Sequence, residues 1–404
     1  MGGSGALRPA KLAKYLPDFG WNPLIVAARN PDWYYAYDTA LLEELPDEIE
    51  ITRTFMLRCA WIHRLLNPLR IRKMDKLLSR FLIQPDDQIG WIPFAYSSGL
   101  DIVRRGSVKA IYSTSAPLSC HLIAYLIHRK TQIPWVADFR DEWFENPDFS
   151  FPTSLHRRFH YHLEERIVKT AHKVIAPAPE FCRLLTKHGG DDNKFVTIQM
   201  GFDAADFSDP SVSRADRKSE FVISFSGLFY RSFRPSNLVK ALNELIDEGK
   251  VPPERIQVKF VGANTADDIH CKDPHSICEF TGFVSHKEAV EHLKNSDALL
   301  LLLSEERGKN VVPSKTFEYM ASGNPILAVV PSDGEVADII RKSKTGIVAD
   351  FRDIEAIKAA YLQLYRQWED QSSWVEPDLS EIAKYDQKGL TKKFALLLDE
   401  IALS

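Results

Sequence analysis

Apolar residues return along this chain in two rhythms. Short runs of β-branched and aliphatic residues alternate with longer stretches in which apolar positions recur every three or four residues. The first pattern belongs to buried strands and the second to the helices that cover them, so the alternation predicts an α/β fold with parallel sheets wrapped by helices. Strands are expected near Pro23–Ala28, Glu48–Thr54, Lys109–Ser113, Pro134–Ala137, Lys173–Ala176 and Phe195–Gln199 in the first half. In the second half they are expected near Phe221–Ser226, Ile256–Val261, Ile277–Thr281, Ala298–Leu303, Pro325–Val330 and Gly346–Ala349. Each half repeats the same βα rhythm, and 404 residues exceed what one ordinary core accommodates. Two Rossmann-like domains facing across a cleft are expected. The stretch Gly201–Ser219, rich in Asp, Ser and Ala with little apolar periodicity, reads as their linker. That gives an N-terminal domain of residues 1–205, a C-terminal domain of residues 206–378, and a closing segment of residues 379–404. Pro377 breaks helical structure there, and a last helix is expected from about Ser380 to Leu403.

Composition narrows the function classes. With 45% hydrophobic and 26% charged residues the chain is globular, and a net charge of -4 lacks the basic excess of a protein whose affinity rests on nucleic-acid phosphates. Nucleic acid is not an expected partner. The five cysteines, Cys59, Cys120, Cys182, Cys271 and Cys278, are scattered and form no CxxC pair, which points to a reducing, cytoplasmic setting. His270, Cys271, His275 and Cys278 match no usual zinc spacing, so no metal is expected. No start resembles a signal peptide, and the longest aliphatic run, Ala298–Leu303, is far short of a bilayer span. Between Met56 and Leu82 seven basic residues stand against the single acid Asp75 and are interleaved with Trp61, Leu65, Leu69, Leu77 and Phe81. That pattern suits either the surface of an anionic membrane or a helix packed on its own sheet with a solvated basic edge.

Ligands of open α/β sheets bind beyond the carboxyl ends of the strands, which directs attention to five loops. Gly2, Gly3, Ser4 and Gly5 open the helix Leu7–Leu16, with Arg8 in its first turn, where backbone amides can meet an anion or a flexible tail can simply begin. In Ser113–His121, His121 lies in the first turns of a helix, as an acid, a base or a packed core histidine. Ala137–Trp143 gathers Asp138, Arg140 and Asp141 at a strand end, where Arg140 can pair with either aspartate and the remaining acid needs a ligand. Gly227–Pro235 follows a strand and offers Arg231 and Arg234 as planar forks for a diphosphate. In Asn310–Gly323, Ser314 is an N-cap candidate, the amides near Lys315 and Thr316 point toward an anion, and Glu318 lies one turn deeper, where it can accept two ribose hydroxyls.

The segments GGSGALRPAKLAKYLPDFGW, SAPLSCHLIAYLIHRKTQIPWVADFRDEW, IQMGFDAADF and VPSKTFEYMASGNPILAV resemble, in order, those of retaining glycosyltransferases of the GT-B fold, in the large family-four group that includes cell-surface polysaccharide enzymes. The resemblance implies a C-terminal domain that holds a nucleotide sugar, with Arg231, Arg234 and Lys315 near the diphosphate and Glu318 on the ribose. The loop Gly282–Ser285 would hold the base through backbone groups. His121, Asp138, Arg140 and Asp141 would face the transferred sugar from an N-terminal domain that binds the acceptor, and the final helix would cross back to that domain. Two departures stand out. Asn310 occupies the position eight before Glu318 where the family often has a glutamate, so recognition of the donor sugar is expected to differ. The glycine loop also opens at Gly2 with no strand ahead of it, so the first domain is expected to lack that strand and the natural protein to begin upstream.

The expected activity is transfer of a hexosyl group, without metal or cofactor, from a nucleotide diphosphate sugar to a hydroxyl of a glycan or lipid-linked acceptor, at the cytoplasmic face of a membrane. Stabilisation of the departing diphosphate would carry the chemistry. A nucleotide-sugar epimerase of the same fold and a non-catalytic membrane-associated scaffold are the competing readings.

Overall fold

The structure is a computed structural model of the full chain. The residues it describes are 4–29, 40–57, 81–146, 150–208, 220–227, 229, 235–262, 272–303, 309, 311–372 and 376–403. They fall into two units. Apart from Ala40, which groups with the second, one comprises the described residues up to Gln199 together with those from Leu390 onward, and the other spans Met200–Gly389.

The strands of the first unit are β1 (Ile25–Ala28), β2 (Ile51–Thr54), β3 (Ile111–Ser115), β4 (Trp135–Phe139), β5 (Lys173–Ala176) and β6 (Phe195–Thr197). Its main helices are α1 (Ser4–Tyr15), α2 (Ile92–Arg104), α3 (Ser119–Thr131), α4 (Ser154–Thr170) and α5 (Pro179–Thr186). Strands β3-β4-β5-β6 make one parallel sheet, and β1 pairs with β2, also in parallel. Every residue of β4 and β5 is buried, and alternate side chains feed opposite cores. Trp135, Ala137 and Val174 pack with Ala124, Ile167 and Val168 on one face, whereas Val136 and Ile175 pack with Leu12, Ile198 and Phe394 on the other.

In the second unit β7 (Phe221–Ser226), β8 (Ile256–Val261), β9 (Cys278–Phe280), β10 (Ala298–Leu302), β11 (Ile326–Val330) and β12 (Gly346–Asp350) form one parallel sheet in the order β12-β11-β10-β7-β8-β9. The apolar runs ALLLL of β10 and ILAVV of β11 are wholly buried, as strands covered by helices on both faces must be. The helices are α6 (Ser236–Asp247), α7 (His286–Lys294), α8 (Lys315–Ser322), α9 (Glu335–Ser343), α10 (Ile354–Glu369) and α11 (Leu379–Ala383), and α12 (Gln387–Ala402) begins here and continues into the first unit. This is the doubly wound order, with its first strand β7 at the point where the order reverses. The corresponding place in the first unit lies between β1 and β3. There Val26, Ala28 and Ile111 share one core around Trp91, Ile123 and Ile127, yet among the described residues no strand pairs with both.

Each expected strand has an observed counterpart. The division between units departs from residues 205 and 206, because Phe202 is buried in the second core, its amide donates to the Tyr385 carbonyl at 3.1 Å, and its carbonyl accepts from the Gln387 amide at 2.8 Å. The same pairing interrupts the single helix expected from Ser380 to Leu403, leaving α11 and α12 on either side. From Leu390 on, α12 buries Leu390, Phe394, Leu398 and Ile401 in the first unit, as the crossing back predicted. Most of the linker (209–219) and most of the basic segment (58–80) lie outside the described residues.

Candidate active site

The second unit brings a set of functional groups to the carboxyl ends of β7, β8 and β9. Gly227, which follows β7, has φ +120, and a Cβ there would lie 2.8 Å from Lys315 Nζ. Its amide donates to the Val261 carbonyl at 2.8 Å, and Gly262 (φ +140) approaches so closely that a Cβ would lie 2.6 Å from the Gly227 carbonyl oxygen. Both have a φ that favours glycine, and at Gly262, where the neighbour is backbone, the space also admits nothing larger. Gly262 bridges Gly282, and the Thr281 hydroxyl ties the two together by accepting from the Gly262 amide at 3.2 Å and donating to the Gly282 carbonyl at 2.9 Å.

Helix α8 points its first turn at this glycine-lined strand end. The Lys315 ammonium lies over the Phe225 ring, 3.8 Å from its centroid, which fixes a positive charge beside Gly227. The Ser226 amide donates to the Tyr319 hydroxyl at 2.7 Å, which anchors the helix to β7, and burial raises the phenol's pKa. The Thr316 hydroxyl is buried and has no hydrogen-bond partner among the described residues. An orphaned hydroxyl beside a lysine and a helix N-terminus suits an anionic ligand. Ser314 is the N-cap residue as expected, but its side chain makes no cap bond. The Thr316 amide, expected to be free for an anion, instead donates to the Pro313 carbonyl at 3.0 Å in a tight first turn, and the side-chain hydroxyl is the unused group. Glu318 is half-buried in the same first turn. Gly2, Gly3, Arg231, Arg234 and Asn310 lie outside the described residues.

In the first unit the polar groups gather at the ends of β3 and β4. Asp138 is wholly buried and accepts from Arg8 Nε at 2.8 Å and from the Tyr112 hydroxyl at 2.6 Å. Its charge is neutralised internally by Arg8, whose other nitrogens donate to the carbonyls of Ile198 and Gln199. Arg140 forms neither of the ion pairs expected of it. It donates from Nε to the Ser115 carbonyl at 2.7 Å and from its terminal nitrogens to the carbonyls of Gly5 and Ala116, so it binds β3 to α1. Asp141 is exposed beside it.

His121 is also wholly buried. Trp135 Nε1 donates to Ser113 Oγ at 2.8 Å, and the same hydroxyl shares a hydrogen bond with His121 Nδ1, also at 2.8 Å. Burial pushes the His121 pKa down to about 3, so the ring is neutral. The hydroxyls of Thr114 and Ser115 and His121 Nε2 are buried without partners among the described residues, so this strand end holds unused polar capacity. The two hydroxyls were legible only as part of the run STSAP at a strand's end, where His121 drew the attention.

The fold and this arrangement define an α/β enzyme of two Rossmann-like units. The description "Glycosyl transferase 4-like domain" matches residues 5–201, and "Glycosyl transferases group 1" matches residues 220–367. The chain belongs to the GT-B glycosyltransferases. A glycosyltransferase from Rickettsia africae ESF-5 is 16% identical with TM-score 0.63, covering 98% of this chain and 95% of that one. Anabaena HepE in complex with UDP and glucose is 15% identical with TM-score 0.64, covering 98% and 96%. The lipopolysaccharide outer core galactosyltransferase WaaB is 14% identical with TM-score 0.55, covering 98% and 96%. No curated protein matches the chain significantly.

Proposed function

We propose that this glycosyltransferase moves a hexose, with retention, from a nucleoside diphosphate sugar to a hydroxyl of a glycan or lipid-linked acceptor in surface polysaccharide synthesis. The observation that carries the reading is the meeting of Gly227, the Lys315 ammonium and the unpartnered Thr316 hydroxyl at one strand end. The diphosphate lies there, with Arg231 and Arg234 beside it, the ribose on Glu318 and the base along Gly282–Ser285. Negative charge grows on the diphosphate as the glycosidic bond breaks, and fixed cations stabilise it without a metal. The bound UDP and glucose of HepE support a uridine nucleotide as the first donor to test. The lipopolysaccharide acceptor named for WaaB supports a glycan or lipid-linked acceptor, held by the first unit near Arg140 and Asp141. Asn310, in the place of the family's frequent glutamate, sets the choice of sugar. No helix of the described residues is long and apolar enough to cross a membrane, and the acceptor is reached from the cytoplasmic side at an anionic lipid surface.

A panel of nucleotide sugars screened by thermal stabilisation, followed by turnover with and without acceptor, tests this. Stabilisation by one donor, with nucleotide released only when acceptor is present, is the expected result. Conversion of the donor sugar without acceptor would make the enzyme an epimerase, and no binding to any donor would leave a scaffold.

A further inference from the structure

The residues that follow β4, together with α4 and α5, enclose a cavity of about 130 Å³. Three carboxylates line it, Glu142 and Glu145 from the loop after β4 and Glu164 from α4. Glu164 is buried and both its oxygens are engaged, one by the Phe144 amide and the other by His188 Nε2, each at 2.8 Å. The carboxylates of Glu142 and Glu145 meet no donor among the described residues. Burial, together with the charges of Glu145, Glu164 and Asp141, holds the Glu142 carboxyl above its usual range. His188 lines the same cavity and is only 6% exposed, yet its Nδ1 has no hydrogen-bond partner among the described residues. Buried polar atoms are nearly always satisfied, so a leftover ring nitrogen beside leftover carboxylates points to a ligand. Lys187, which also borders the cavity, is exposed.

We infer that this cavity of the first unit binds a primary ammonium group on a short carbon chain. A metal ion does not suit it, because the three carboxylates and His188 do not bring three ligating atoms within 4.8 Å of one another. An alkylammonium does suit it. Its N–H groups give charge-assisted bonds to Glu142 and Glu145, while the rings of Trp143, Tyr161 and Phe181 cover its methylenes and attract its charge. An apolar cavity of roughly 150 Å³ admits benzene, so this one admits a chain of about six non-hydrogen atoms. Such a group belongs either to a free amine or to an aminoethyl phosphate carried on a larger molecule. The inference goes beyond glycosyl transfer, and occupancy is read with neither donor nor acceptor present, so a failed nucleotide assignment leaves the outcome intact.

The test is calorimetric titration of the full chain with 1,4-diaminobutane and, separately, with O-phosphoethanolamine, using 1,4-butanediol as the neutral match. Binding of an amine but not of the diol is expected, with a rise in melting temperature of at least about 2 °C near saturation. Tighter binding of the diamine identifies a free amine as the occupant. Tighter binding of phosphoethanolamine, its phosphate outside beside Lys187, identifies the aminoethyl phosphate of a larger molecule. Glu142→Gln should raise the melting temperature of the unliganded chain by relieving repulsion, and should weaken amine binding at least about tenfold. Glu165→Gln makes the same change of charge on α4 at a carboxylate engaged by Lys169 and His162 outside the cavity, and should leave amine binding as it is. Absence of binding by both amines, equal binding of the diol, unchanged affinity in Glu142→Gln, or an equal loss in Glu142→Gln and Glu165→Gln overturns the inference.

Discussion

Arg8 and Asp138 form an ion pair at 2.8 Å with both side chains out of solvent, joining α1 to the end of β4. Such a pair contributes little beyond a well-packed apolar substitute, yet removing one partner strands a buried charge. Asp138→Ala should therefore destabilise the chain by about 3–5 kcal/mol. The double change Arg8→Met with Asp138→Leu should recover much of that loss. Urea unfolding of the three proteins checks both statements, and a mild Asp138→Ala effect would mean that water reaches the pair.

Two buried imidazoles make the stability depend on pH. Burial holds His121 at about 3 and His160 at about 4, below the ordinary 6.5. As pH falls below about 6.5 the unfolded chain takes up protons that the folded rings refuse, so stability is full above that value and declines down to about 3–4. His121→Asn should flatten this acid limb in part, His160 still contributing, and should leave any kinetic titration between about pH 5 and 8 in place. Unfolding measured from pH 4 to 7 decides the first point. A kcat profile that loses its acid limb in the variant would return His121 to the chemistry.

Much of the fold was legible because strands buried on both faces must be continuous apolar runs, as in Ala298–Leu302 and Ile326–Val330. The candidate donor loop was legible for a similar reason: Gly227 ends a strand, and Ser314 and Lys315 begin a helix. The Arg8–Asp138 pair could not be read, since its partners are 130 residues apart and the nearer Arg140 offers the same charge. Nor could the break between α11 and α12, which comes from backbone bonds to Phe202 rather than from any residue that disfavours helix. The unused hydroxyls of Thr114, Ser115 and Thr316 are properties of packing, and a sequence does not show which polar atom will be left without a partner.

At the glycine-lined strand end, space and charge can be separated by mutation. Gly227→Ala places a methyl 2.8 Å from the Lys315 ammonium at φ +120, and should cost about 1–3 kcal/mol of stability as well as nucleotide affinity. Lys315→Met keeps the aliphatic stem and removes only the charge, so affinity should fall about tenfold or more while the melting temperature changes little. Equal nucleotide affinity in Lys315→Met and the unmodified chain would move the diphosphate elsewhere.

The hydrogen-bonded anchor of α8 on β7 makes Glu318 the sharpest test of the donor assignment. Tyr319 accepts the Ser226 amide, so the helix is held in place whatever residue 318 carries, and Glu318 lies half-buried one turn in from Ser314. In the proposed donor site Lys315 and the Thr316 hydroxyl hold the diphosphate, and the Glu318 carboxylate would accept the two ribose hydroxyls beyond. Glu318→Gln preserves the shape and replaces a charged acceptor with a neutral one, at a cost of about 1.5–3 kcal/mol in donor binding, or roughly ten- to a hundredfold. Folding stability should stay within about 0.5 kcal/mol, since no cavity opens and no ion pair breaks. Calorimetric titration with the best nucleotide from the screen reads the affinity directly. A loss confined to nucleosides that carry both ribose hydroxyls, absent for their deoxy analogues, would identify the group that Glu318 holds, and an equal loss for both kinds would place the carboxylate away from the ribose.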